Sequence, residues 1–200
     1  MKKRIFALML AVMTVFMTAC GGGAAYVPGT FTETGYETEF LGFRFTTPDG
    51  FILSDSEELS QLMGVVLETA SESGDVTELQ KKYAELTTIY ELMVTDSLGV
   101  ANANIVLEKT AVPLNSYIEI VKGQLAEMSA MTVSITSEEE VEFAGATYTK
   151  LSADVESYGI AMYQDYYFRK VGGYVMLFTI TWADGFEAEK EAIMNAFAAY

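Results

Sequence analysis

The residue types of this chain come closest to a recognition site in one hairpin rich in tyrosine. Tyr158, Tyr163, Tyr166, Tyr167 and Tyr174 crowd it, and Tyr148 lies just upstream. Successive strand side chains point to opposite faces, so Tyr163, Asp165, Tyr167 and Arg169 share one face and Met162, Gln164, Tyr166 and Phe168 the other. Tyr and Arg are enriched at binding hot spots, which makes the first set a candidate binding surface. The same spacing suits aromatic rings packed across strands under a helix, and both readings stay open. Asn102 and Asn104, two apart in a β-rich run, also share a face, as a polar lining or as satisfied sheet amides.

Other chemistries are narrowed by what is missing. The chain has no histidine, the side chain most used for proton transfer near neutral pH and the commonest metal ligand. Neither a GxxxxGK[ST] phosphate loop nor a GxGxxG motif occurs. A hydrolase would have to work through two carboxylates about 5 to 10 Å apart, and 28 acidic residues nominate no particular pair. The chain is therefore read as non-catalytic, with no cofactor and no metal assigned. Glu138, Glu139, Glu140 and Glu142 form the densest acidic run. Calcium takes six to eight oxygen ligands, but the run lacks the spaced Asp/Asn and the glycine of a calcium loop, and a solvated turn is the expected structure.

Cys20 is the single cysteine. Lys2-Lys3-Arg4 precedes an apolar stretch over 5–19, which ends in Met17-Thr18-Ala19-Cys20-Gly21. A basic start, a short apolar segment and small residues at its end have the form of a secretory signal peptide, and the stretch is short of the ~20 residues a membrane-spanning helix needs. The terminal run resembles a bacterial lipobox, with Met17 where Leu is commonest. The resemblance implies cleavage before Cys20, a diacylglyceryl group on its sulfur, and a protein held at the cell membrane on its extracytoplasmic face. Two acyl chains make such an anchor stable where one does not.

Loss of residues 1–19 removes three of the 12 basic residues and leaves nine against 28 acidic ones, a net charge of −19. Such a domain has no footprint for nucleic acid and is repelled by anionic head groups, so its membrane contact runs through the lipid. With the thiol used, no disulfide is available and stability must come from the core.

The elements follow from periodicity and turns. Residues 20–35 carry the lipid site and a stretch with five glycines and Pro28, expected to be a flexible tether. The segment 36–200 reads as one domain. A hairpin or two short strands are expected from Tyr36 to a turn at Pro48-Asp49-Gly50. Ser54 and Glu57 suggest a capping box opening a helix over 55–71, and a weaker helix is expected over 76–87. Runs over 89–94 and 101–108, joined by a polar turn ending in Gly99, should pair antiparallel. Leu114, Tyr117, Ile118, Val121, Leu125 and Met128 mark a helix after Pro113. Strands are expected over 131–136, 140–143, 147–155, 160–170 and 174–182, in a meander, then a helix capped by Asp184 that runs to the C-terminus.

This order predicts an α+β domain, an antiparallel sheet of about six to seven strands covered by helices. Phe43-Arg44-Phe45-Thr46-Thr47-Pro48-Asp49-Gly50-Phe51, Ala101-Asn102-Ala103-Asn104-Ile105-Val106 and Phe178-Thr179-Ile180-Thr181-Trp182-Ala183 resemble the PsbP-like family, named after an extrinsic photosystem II subunit and including a nuclear-import factor that binds a small GTPase. The resemblance implies an α/β/α sandwich and a family whose members mostly bind partners; it carries no functional residue onto this chain. The expected function is a membrane-anchored lipoprotein that binds a protein or envelope component. The alternatives are a small-ligand or cation binder serving a transporter, and a carboxylate-based hydrolase.

Overall fold

The computed structural model describes residues 25–55, 57–61, 64, 87–128, 131–157 and 159–200. The signal segment, Cys20, most of the helix expected over 55–71 and all but the last residue of the one expected over 76–87 lie outside them. The strands are β1 (Thr30–Thr32), β2 (Gly35–Thr38), β3 (Phe43–Thr46), β4 (Phe51–Ser54), β5 (Thr88–Asp96), β6 (Asn102–Lys109), β7 (Thr132–Phe143), β8 (Ala146–Ser157), β9 (Ile160–Val171), β10 (Tyr174–Ala183) and β11 (Phe197–Ala199). Helix α1 (Leu114–Glu127) follows β6 and helix α2 (Glu187–Asn195) follows β10.

Seven strands form one antiparallel sheet in the order β4-β5-β6-β10-β9-β8-β7, and four form a smaller one in the order β1-β2-β3-β11. The architecture is α+β. One face of the large sheet is closed by α1, whose Tyr117, Ile118, Val121 and Leu125 pack on Leu151, Ala153, Tyr166, Phe168, Val175 and Leu177. Complete burial of an aliphatic side chain of this size contributes about 1.5 to 3 kcal/mol. The other face is closed by the small sheet and α2 together, where the sequence led us to expect helices. Phe43, Phe45 and Ile193 are buried there against Ile105, Met176, Phe178 and Ile180. β6 and β10, in the middle, are therefore buried on both sides along most of their length.

Several expectations are met. β2 and β3 pair as the first hairpin, β5 pairs with β6, and β7 to β10 form the meander. The two-residue turn between β7 and β8 places Ala144 and Gly145 at φ 47° and 78°, the pair of positive φ values that a type I′ hairpin requires.

Others are corrected by contacts between distant parts of the chain. The helix after β4 is capped by Asp55, since Ser54 is the last residue of the strand: Asp55 Oδ1 accepts from the N–H groups of Glu57 and Glu58 at 2.9 Å each, and Glu58 Oε2 accepts from the Asp55 N–H at 3.3 Å. The last helix neither begins at Asp184 nor reaches the C-terminus. Phe186 occupies its N-cap position, and after Asn195 the chain turns into β11 to pair with β3. There the Phe197 ring lies 4.8 Å from that of Phe45 and 5.1 Å from that of Phe178, a burial that further helix would forfeit. β7 is one strand of 12 residues rather than two, with a register shift between Ile135 and Ser137. The segment read as a tether to residue 35 is anchored by Tyr26, and β1 and the start of β2 lie within it.

Candidate functional site

β9 sorts its side chains into the two faces expected, but the face holding the candidate surface is covered. Asp165 is 3% exposed and Tyr167 4%, while Tyr163 and Arg169 are partly buried. Asp165 is the centre of a polar clamp. Ser152 Oγ donates to its Oδ1 at 2.6 Å, and the ammoniums of Lys150 from β8 and Lys190 from α2 each lie 3.5 Å from its Oδ2. Lys190 also lies 5.0 Å above the Trp182 ring, and Trp182 is 5.6 Å from Tyr163. Tyr167 stacks on Phe178 at 5.2 Å, and its hydroxyl is raised in pKa by burial, by Asp165 and by Glu139. Arg169 Nη2 donates to the Leu41 carbonyl at 2.5 Å, and its guanidinium lies 5.0 Å from the Tyr148 ring.

Asp165, Tyr167 and Arg169 thus fasten the small sheet and α2 to the meander. The reading of all four residues as an exposed recognition surface is corrected: of the set, Tyr163, beside Trp182, is the member left near solvent without such a fastening role. Asn102 and Asn104 are both buried.

The acidic run is strand, not a turn. Glu138 pairs with Lys122 at 2.5 Å, Glu139 with Lys150 at 3.5 Å, and Glu142 accepts from the Thr147 hydroxyl. These carboxylates are spread along β7, the edge of the large sheet, and among the described residues no three acidic side chains converge as metal ligands. A long exposed edge invites pairing with another chain, and charge along it opposes that.

A second polar node was missed by sequence reasoning. Glu91 is 1% exposed inside β5, at a register shift between Tyr90 and Leu92. The extra residue lets Ile89 and Leu92 both keep the face toward the small sheet while Glu91 is re-aimed. Tyr36 donates its hydroxyl to Glu91 Oε1 and Tyr26 donates to Oε2. The Gly29 N–H donates to the Tyr36 hydroxyl at 3.0 Å, and a Cβ at Gly29 would lie 2.1 Å from that oxygen, so the close approach requires glycine. Burial raises the Glu91 pKa and its hydrogen bonds oppose the rise, while both phenols are pushed up by burial and by Glu91. Beside this node is an open cleft of about 380 Å³, lined by Val27, Pro28, Gly29, Glu37, Phe40 and Tyr200 among others. Two signals pointed here: one acid within the apolar run 89–94, and one tyrosine within a glycine-rich stretch.

No protein-family model matches the chain, and no characterised protein matches it in sequence. Among solved structures it is similar to the cyanobacterial PsbP of Synechocystis sp. PCC 6803, at 12% identity and a TM-score of 0.47 over 92% of this chain and 99% of that one. It is also similar to LpqN, a protein involved in cell envelope biogenesis of Mycobacterium tuberculosis, at 9% identity and a TM-score of 0.43 over 78% of this chain and 82% of that one. The first is a PsbP, the family whose strands the sequence resembles. At these scores neither likeness bears on function, and the α+β class rests on the sheets themselves.

Proposed function

We propose that the chain is a non-catalytic, extracytoplasmic lipoprotein, held at the cell membrane by lipid on Cys20 and binding a protein or envelope component there. The observation that carries this is the lipobox-like run around Cys20, six positions before Tyr26, whose ring packs against Phe40. At most ~3.6 Å per residue, that interval spans about 20 Å, so a lipidated domain works close to the bilayer. Tyr163 and Trp182, both partly buried and 5.6 Å apart, are the remnant of the tyrosine face open to a partner. A second reading, a cation binder serving a transporter, is favoured by the cleft that combines Glu37 and Glu39 with the rings of Phe40 and Tyr200.

Cys20→Ser should abolish labelling by a radioactive fatty acid and move the protein out of the membrane fraction. Labelling that persists in this variant would refute the anchor. Crosslinking in intact membranes, followed by pull-down of wild type and Tyr163→Ala, tests the binding face separately; equal capture by both removes Tyr163 from it.

A further inference from the structure

Tyr26 belongs to a segment fastened at few points. Residues 25–29 form no regular structure, and β1 is three residues long, exposed throughout and paired with β2 alone. The open cleft lies along residues 27–30, and Val27 is 61% exposed. Yet Tyr26 itself is inserted into the body of the domain. Its ring stands edge-on to Phe40 at 5.5 Å and is tilted against Tyr174 at 6.1 Å, and its hydroxyl reaches Glu91 Oε2.

Tyr26 and Tyr36 divide the carboxylate between them, so if residues 25–32 lift away, Oε1 keeps the Tyr36 hydroxyl and Oε2 loses its donor. What remains is a ring-sized recess against the Phe40 and Tyr174 rings, which touch each other edge-on at 6.1 Å, with a buried carboxylate oxygen at its end. An oxygen in that position is costly until a donor returns. Among the described residues no cation balances Glu91; a core strand gains nothing from such an acid, and violations of this kind concentrate at functional positions.

We propose that residues 25–32 are a releasable strap whose Tyr26 is the internal occupant of a binding slot. With the strap lifted, the slot takes an aromatic hydroxyl, from a free phenol or a partner's tyrosine, with its ring against those of Phe40 and Tyr174 and its O–H donated to Glu91 Oε2. The proposal holds with or without lipid on Cys20. With lipid, release adds residues 25–32 to the chain between the lipid site and the domain, a segment with a typical reach of about 16 Å. Ligand capture and distance from the membrane are then linked.

The test uses the full-length chain in detergent micelles. Hydrogen exchange of wild type should show the amides of residues 26–32 opening at least ~100-fold more often than those of β6 and β10. Titration with p-cresol should give saturable binding to Tyr26→Ala, at least ~10-fold tighter than to wild type because no strap competes. Toluene, the same ring without the hydroxyl, should bind that variant at least ~10-fold more weakly than p-cresol. A Gly-Tyr-Gly peptide that binds like p-cresol identifies a protein tyrosine as the ligand, and p-cresol binding without peptide binding identifies a free phenol. Wild-type strap amides that exchange only with global unfolding, or equal affinity for toluene and p-cresol, would overturn the proposal. Should Tyr26→Ala not fold, Tyr26→Phe decides: its strap amides should exchange about tenfold faster than wild type with core amides unchanged, and equal rates overturn it.

Discussion

Asp165 and Glu91 are both buried carboxylates on the side of the large sheet that faces the small one, at 3% and 1% exposure, and their partners differ in kind. Asp165 has two ammoniums and a hydroxyl. Its charge is balanced locally, and the balance ties α2 and β8 to β9. Glu91 is held among the described residues by the hydroxyls of Tyr26 and Tyr36 and the backbone of Gly29, which donate hydrogen bonds but bring no positive charge. A buried ion is tolerated when paired and satisfied, and breaking one member of a pair costs more than never having made it. Asp165 is therefore a clamp, and Glu91 an acid whose burial disfavours its own charged form.

The largest expected effect tests whether the face around Asp165 is a clamp or a surface. Tyr167→Ala should lower stability by about 3 to 5 kcal/mol, as for other large buried aromatics, because the ring stacks on Phe178 and is flanked by Phe143 at 5.6 Å. Tyr163→Ala should cost no more than about 1 kcal/mol. Denaturant midpoints for the two variants check this, and equal losses would erase the distinction between covered and open ends of β9.

Next in size is the clamp itself. Asp165→Asn leaves the Lys150 and Lys190 ammoniums without their shared counter-charge. The expected loss is about 2 kcal/mol, below the usual 3 to 5 for a broken buried pair, because the two lysine side chains are 18% and 23% exposed and can turn toward water. Lys190→Met in the same background should recover part of it. Urea melts of the single and double variants give the coupling, and additive losses would show that Lys190 does not serve Asp165.

Local pattern disclosed which residues share a face, and seldom what covers that face. The stripe Tyr117, Ile118, Val121 and Leu125 announces α1 because a helix buries whatever recurs at its own period. Turn residues such as Gly145 and Gly172, both at positive φ, announce the meander. Alternation likewise sorted Tyr163, Asp165, Tyr167 and Arg169 together, but their cover comes from β2, β3, α2 and β11, at opposite ends of the chain, and no local period records it. Phe197 falls in the stretch expected to be helix and is pulled into a strand by the rings around it. Tyr26 is hidden for the same reason: its surroundings have the composition of a linker, and its hydrogen-bond partner Glu91 is 65 positions away.

The smallest expected effect separates the two carboxylates by pH. Burial holds the Glu91 carboxyl above its ordinary 4.5, against the pull of its hydrogen bonds. The folded state therefore binds that proton more tightly than the unfolded chain does. The resulting contribution to stability is fully present below the unfolded pKa near 4.5 and is lost as pH rises through the folded value. Glu91→Gln removes this dependence while keeping an acceptor for Tyr36. The wild type should consequently gain on the variant at pH 4.5 and fall behind it by pH 8, a swing of about 1 kcal/mol for each unit by which the pKa is raised. Because all other acids are common to both proteins, subtracting urea midpoints at each pH isolates the term. A gap that instead favoured wild type at alkaline pH would mean that the ionised form of Glu91 is the stabilised one, and Glu91 would then belong with Asp165 as a compensated ion.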